Sequence, residues 1–248
     1  MSADLRSLSL WWDTLPTELG TPLGTPLEAD ISADVAIVGG GFTGLWTAYY
    51  LAKADPTLRI VILEAEQAGF GASGRNGGWA SALFPASLDA LARASSRDAA
   101  VRMKRTMNAS VDEIGRVAGA EGWDIDWHKG GTVVLARTPL QLQTARDEVA
   151  ALRKWGFGSD DLALLDAREA TDRARATDVL GGTYTPHCAA LHPARLVRQL
   201  AKTVVGMGVT LHEGTRVQAI EPGIVRADHG TVRAEIIVRA TEGYTRSL

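Results

Sequence analysis

Apolar and polar positions along the chain change period several times, and each change predicts an element. Val35 to Val38 is an unbroken apolar run, the pattern of a strand buried on both faces. It empties into Gly39, Gly40 and Gly41, with Gly44 close behind. Leu45, Ala48, Tyr49, Leu51 and Ala52 then recur at helical steps, predicting a helix that begins near Phe42 and lies on a sheet. A second run, Arg59 to Leu63, predicts a strand that delivers Glu64 at its end. Strand, glycine turn, helix and strand in this order make a βαβ opening.

Further on, Ala100, Met103, Met107, Val111, Ile114 and Ala118 repeat at steps of three and four, with Arg102, Arg105, Asp112 and Arg116 on other faces. They predict a long amphipathic helix closed by Gly122, and its mixed charges suit a scaffold better than a membrane surface. From Asp126 the period shortens. A turn at Gly130 and Gly131 leads into a strand, Thr132 to Leu135. Thr138 and Pro139 cap and start a helix carrying Leu140, Leu142, Val149, Leu152 and Trp155, which stops at Gly156. A short helix follows Asp166, and Gly181 and Gly182 open a strand through Thr183 to Thr185. These segments are antiparallel in character and read as a partial second domain. The chain then returns through a helix (Leu196, Leu200, Val204) and a strand, Val209 to Leu211. Three short β segments follow, near 217–220, 224–227 and 231–233, with a separate final strand at 236–240. Ahead of all this, residues 1–30 carry Pro16, Pro22 and Pro26 and read as an extended arm, with Trp11 and Trp12 anchoring it to the body.

The βαβ opening has a specific chemistry. Gly39 permits the tight turn, Gly41 leaves no side chain between backbone and a pyrophosphate, and Gly44 lets the helix lie close to the strand. The helix start at Phe42 and Thr43 offers amides and a positive dipole end to phosphate. Glu64 stands twenty residues after Gly44, where a carboxylate can accept hydrogen bonds from an adenosine ribose and disfavours a 2′-phosphate. A second bare stretch, Gly69 to Gly78, holds five glycines in ten residues and offers Ser73, Arg75 and Asn76 as donors. Alone it would read as a flexible surface loop. Its place beside the first turn favours a backbone that tracks a ligand.

Three segments together, DVAIVGGGFTGLWTAYYLA, ILEAE and GFGASGRNGG, resemble the flavin-dependent amine and amino-acid oxidases of the D-amino-acid oxidase and glycine oxidase superfamily, within it the γ-glutamylputrescine oxidase-like branch. The resemblance implies an α/β fold: a glutathione-reductase-like, FAD-binding Rossmann domain with a β-meander, plus a partial α+β substrate domain. The meander near the chain's end agrees, since nicotinamide domains usually repeat βαβ there. It implies FAD as cofactor, with Gly39, Gly41, Phe42, Thr43 and Gly44 along the pyrophosphate and Glu64 on the ribose. Ala72, Ser73, Arg75, Asn76 and Gly77 would run beneath the pyrophosphate toward the flavin, Val217 would meet the adenine, and Thr241 would approach the pyrophosphate. Family members usually place Gly, Ala or Asn near Glu242, where a Glu brings negative charge toward phosphate. The domains implied are an arm (1–30), a first FAD-binding part (31–122), a partial substrate domain (123–188) and a second FAD-binding part (189–248). The implied reaction oxidises the C–N bond of an amine or amino acid by hydride transfer to flavin, giving an imine, with O2 or another acceptor reoxidising the flavin and H2O2 as product. Arg75, Asn76 and Trp79 are the candidates for the flavin face. The family ordinarily continues with more substrate-domain strands, so a C-terminally truncated chain, or a non-catalytic flavin-binding remnant, is the competing expectation.

Composition narrows the rest. With 248 residues, 46% hydrophobic and 22% charged, the chain can bury a sizeable core, and a net charge of -3 gives no basic footprint for nucleic acid. No apolar run reaches bilayer length, and Met1 to Leu10 lacks the apolar core of a secretory signal, so a cytoplasmic location is expected. The single Cys188 rules out an internal disulfide. His128, His187, His192, His212 and His229 show no metal-ligand spacing, and His192 reads as a cap ahead of Pro193. No GxSxG, CxxC or GxxxxGK[ST] pattern occurs, which removes hydrolytic, thiol-redox and phosphoryl-transfer readings.

Overall fold

The computed structural model describes residues 5–247. In chain order the strands are β1 Ile31–Val38, β2 Ile60–Leu63, β3 Trp79–Ser81, β4 Thr132–Ala136, β5 Ala163–Leu165, β6 Gly181–Thr185, β7 Cys188–Ala190, β8 Thr210–His212, β9 Val217–Glu221, β10 Ile224–Ala227 and β11 Gly230–Arg239. The chain divides into two compact units, one of residues 1–78, 121–125 and 192–248, the other of 79–120 and 126–191.

The first unit is built on a six-stranded sheet in the order β8-β2-β1-β11-β10-β9. β8, β2, β1 and β11 run parallel, and β10 and β9 complete it as an antiparallel meander. The continuous apolar runs are central because both faces of β1 and β2 are covered: Val35 to Val38 and Ile60 to Leu63 are all buried. Leu27, Ala36, Val61, Leu63, Val217, Val225 and Val232 share one core cluster. The helices Phe42–Ala54 and Pro193–Gly206 pack against each other. The fold class is thus α/β with a parallel sheet and a β-meander.

Two expectations change here. The third meander segment and the final strand are one ten-residue strand, β11, which pairs with β10 at its start and runs parallel to β1 from Val232 to Arg239. Arg233 and Glu235 interrupt the apolar run in sequence, yet they are exposed while Val232 and Ala234 are buried, the alternation of an unbroken strand. The arm is not extended throughout. Leu5–Leu8, Leu10–Asp13 and Thr17–Gly20 are short helical turns, and Pro16 sits at the start of the last as its N-cap. Trp12 is buried with Leu15 and Ala194, and Ser9 Oγ accepts from the Trp12 amide.

The second unit holds a three-stranded antiparallel sheet, β4-β6-β5, and the pair β3-β7. Thr138 forms a full capping box with Gln141, and Asp166 one with Glu169, as the local sequence requires. The unit's boundaries differ from those expected: residues 79–120 belong with it, because β3 pairs with β7 and Val111 packs with Ala82 and Ala189. Residues 121–125 join the first unit, where Glu121 accepts from Tyr49 Oη at 2.6 Å and Ile125 O accepts from the His192 amide. Along the helix Arg97–Ala120 the apolar face is imperfect, with Met103 exposed and Asn108 buried. Among the described residues no helix is long and apolar enough to cross a membrane.

Candidate nucleotide site

A cleft of about 200 Å³ opens at the carboxyl ends of β1 and β2, where the first glycine turn leaves the sheet. Gly39 adopts φ +111°, and a Cβ there would stand 2.4 Å from Ala240 O. Gly44 packs helix on strand, since a Cβ would meet Gly39 O at 2.1 Å. Gly41 precedes the helix and provides no side-chain cap of its own.

The two glycine-rich turns are fastened together. Ser73 Oγ accepts from the Phe42 amide at 2.8 Å, and the Gly69 amide donates to Gly40 O at 3.0 Å. Glu64 lies in the same cleft and is held at both oxygens: Oε2 accepts from the Gly40 amide at 2.7 Å and Oε1 from the Glu66 amide at 3.0 Å. Two amides leave lone pairs on that carboxylate for further donors. Burial pushes the Glu64 carboxyl above its ordinary value, the amides of Glu66 and Gly40 pull it back, and the charges of Glu213 and Glu66 push it further up.

The cleft is lined by Gly39, Gly41, Phe42, Thr43, Glu64, Ala72, Ser73, Val217 and Thr241 from the expected set. The structure places Gly44, Arg75, Asn76 and Gly77 outside its lining. Gly44 is behind it as a packing residue. The Arg75 guanidinium lies over the Phe70 ring at 4.8 Å and donates to Gly71 O. Asn76 spends its side chain on its own loop, donating to Ala72 O and Ser73 O and accepting from the Gly78 amide. Trp79, the third flavin-face candidate, belongs to the second unit and is exposed.

Sequence reasoning missed Thr215, Arg216 and Tyr244, which also line the cleft. Thr215 and Arg216 adjoin Val217, and that adjacency was the available signal. Arg216 pairs with Glu66 at 3.2 Å. Glu242 lines the cleft with φ +43°, a left-handed backbone that suits Gly or Asn, and its carboxylate accepts from the Gly243 amide. That conformation supplies a physical reason for a small residue at this turn. His192 is buried and caps its helix, Nδ1 accepting from the Arg195 amide at 3.2 Å.

A parallel sheet with a meander, two bare turns on one cleft and an acid pinned inside it define a dinucleotide-binding flavoprotein domain. The profile of a family described as DAO, FAD dependent oxidoreductase, matches residues 34–248, and the chain belongs to this family, whose cofactor is FAD. It is 32% identical over 214 residues to the gamma-glutamylputrescine oxidoreductase of Escherichia coli strain K12, covering 85% of this chain and 49% of that protein. Among solved structures it is similar to glycine oxidase from Geobacillus kaustophilus (26% identity, TM-score 0.64, 84% of this chain and 55% of that one). It is also similar in fold to an L-amino acid deaminase from Proteus vulgaris lacking its specific insertion (18% identity, TM-score 0.75, 95% and 60%). The chain spans about half the length of the curated relatives it matches.

Proposed function

We propose that this chain supplies the FAD-holding part of an oxidoreductase that oxidises the C–N bond of a small amine or amino acid. One observation carries the reading: both glycine-rich turns and the Glu64 carboxylate line a single cleft, locked together by the Ser73–Phe42 hydrogen bond. The cradle fits the cofactor, because a Cβ at Gly41 would stand 3.0 Å from Ser73 Oγ and narrow the cleft beside the helix start.

In this reading Gly41, Phe42, Thr43, Ala72, Ser73 and Thr241 hold the pyrophosphate, and the amides of the helix start meet its charge. Glu64 accepts from the ribose hydroxyls. Val217 covers the adenine, and Arg75, Asn76 and Gly77 shape the loop that leads toward the flavin ring. When bound, FAD supplies a hydride acceptor for the carbon beside an amine nitrogen, leaving an imine, with O2 as terminal acceptor giving H2O2. The amine or amino-acid substrate class follows the activities for which the relatives are named, and the cytoplasmic setting rests on the lone, buried Cys188.

The test is an absorbance spectrum of the purified protein reconstituted with FAD, followed by anaerobic mixing with a panel of primary and secondary amines. A flavin spectrum that bleaches with one of them is the expected result. Colourless protein without FAD affinity overturns the cofactor assignment, and bound flavin that no amine reduces overturns the catalytic part.

A further inference from the structure

The N-terminal arm lies ahead of the family match, which begins at residue 34, yet it is bonded to the second glycine-rich turn and to Thr215 of the cleft lining. The centre of this arrangement is a buried ion pair. Arg198, on the helix Pro193–Gly206, and Glu213, just after β8, are 0% and 3% exposed and meet at 2.8 Å.

Their remaining hydrogen bonds go to two places. Arg198 donates to the arm through Nε to Leu19 O at 2.8 Å and through Nη2 to Thr21 O at 2.5 Å. Glu213 Oε2 accepts from the arm amides of Leu23 at 2.5 Å and Gly24 at 3.3 Å. On the other side both residues grip Ala68: Glu213 Oε1 accepts from its amide at 2.8 Å and Arg198 Nη1 donates to its carbonyl at 3.1 Å. Ala68 is followed by Gly69, whose amide bonds Gly40 O and which begins the cleft wall that runs to Ser73. A Cβ on Gly69 would lie 2.3 Å from Val197 Cγ1, so this wall rests directly on the Arg198 helix. A buried ion pair contributes little net stability over an apolar replacement, so what it fixes in space is the informative feature.

Two more contacts repeat the pattern. Trp11 Nε1 donates to Asn76 O at 2.7 Å in the second glycine-rich turn, and the Leu27 amide donates to Thr215 Oγ1 at 2.9 Å in the cleft lining.

We propose that Arg198 and Glu213 are positioning residues that make the N-terminal arm a structural part of the FAD site, so that cofactor binding and arm order reinforce each other. The proposal rests on the FAD reading above. Because coupling between two events is reciprocal, ordering of the arm strengthens FAD binding by the factor with which FAD stabilises the arm.

The experiment uses the full chain. Hydrogen exchange is followed at the Leu23 and Gly24 amides with and without saturating FAD, and FAD affinity is titrated by flavin fluorescence. FAD is expected to slow exchange at both amides by about fivefold or more, the lower end of ordinary coupling. Arg198→Lys keeps the charge opposite Glu213 but cannot span the carbonyls of Leu19, Thr21 and Ala68 together, and is expected to weaken FAD binding by at least about fivefold and alter the visible circular dichroism of bound flavin. Trp11→Phe, which retains the ring against His192 and folds more safely, removes one donor and is expected to weaken FAD roughly two- to tenfold. Melting of the apo-protein is recorded alongside. A variant that melts earlier but keeps parental FAD affinity and parental flavin dichroism shows the pair to be merely structural and overturns the proposal. FAD binding by the parent with unchanged exchange at Leu23 and Gly24 overturns the coupling alone, whereas a parent that binds no FAD overturns the cofactor reading and the coupling with it.

Discussion

The two compact units handle their apolar surface differently. In the first, β1 and β2 have their last four residues buried, and an ion pair at full burial stands among backbone hydrogen bonds. In the second, Val134 on β4 is 59% exposed, Leu164 on β5 42%, and Leu140 on its capped helix 77%. The ion pair between Arg116 and Glu113, one of several in this unit, lies on the surface. The central strands β1 and β2 therefore have little room for change without cost, while the exposed positions of β4 and β5 tolerate it. A dinucleotide site needs the former, because several backbone segments must converge within a fraction of an ångström.

Substitutions from the largest expected effect to the smallest probe that contrast. Arg198→Met leaves Glu213 buried and alone, and is expected to cost about 3–5 kcal/mol in denaturant unfolding. A cost near zero would mean the first unit is as forgiving as the second. Gly44→Val forces a side chain against Gly39 O and Ile37 and is expected to cost about 3 kcal/mol and abolish FAD binding, read by unfolding and by flavin absorbance. Glu64→Gln removes a charged acceptor and is expected to weaken FAD by about 1.5–3 kcal/mol in a fluorescence titration.

The same Glu64 variant sharpens the picture through pH. The folded carboxyl titrates above its ordinary value, so the native apo-protein binds the proton more tightly than the unfolded chain does. That contribution is fully present below the ordinary carboxyl range and is lost as pH rises through the raised value. The stability of Glu64→Gln relative to the parent should therefore increase across that window and then level off, which unfolding at a series of pH values measures. Glu242→Gly relieves a left-handed backbone and removes an anion from the cleft, and is expected to stabilise the protein by about 1 kcal/mol while tightening FAD. At the far end, Val134→Thr is expected to change stability by no more than about 0.5 kcal/mol, and a larger loss would show that β4 is less tolerant than its exposure indicates.

What the sequence disclosed follows from the range of each interaction. The runs of β1 and β2, the caps at Thr138 and Asp166, and His192 ahead of Pro193 are local, so a few neighbouring residues specify them. The glycine turns and Glu64 are almost as local, because spacing along one βαβ unit fixes which end of the sheet they reach. β11 reads as two segments, 231–233 and 236–240, because the charged Glu235 falls between them, until alternation across a half-exposed strand accounts for it. The arm's last helical turn is hidden behind Pro16, which starts rather than stops it. Arg198 and Glu213 left no trace, since fifteen residues of chain separate them and only tertiary packing brings them together. Arg75 and Asn76 looked like ligand donors by type, but the loop consumes Asn76 internally and stacks Arg75 on Phe70.

β11 has one more consequence. Its pairing with β1 advances in step from Val232 beside Ile31 to Arg239 beside Val38, while its start carries the hairpin that leads back to Val217. The strand thus fixes the residue count between that hairpin and Thr241 in the cleft lining. A single residue inserted between Val232 and Arg239 would slide Thr241 along the sheet by about 3.3 Å and turn every following side chain to the opposite face.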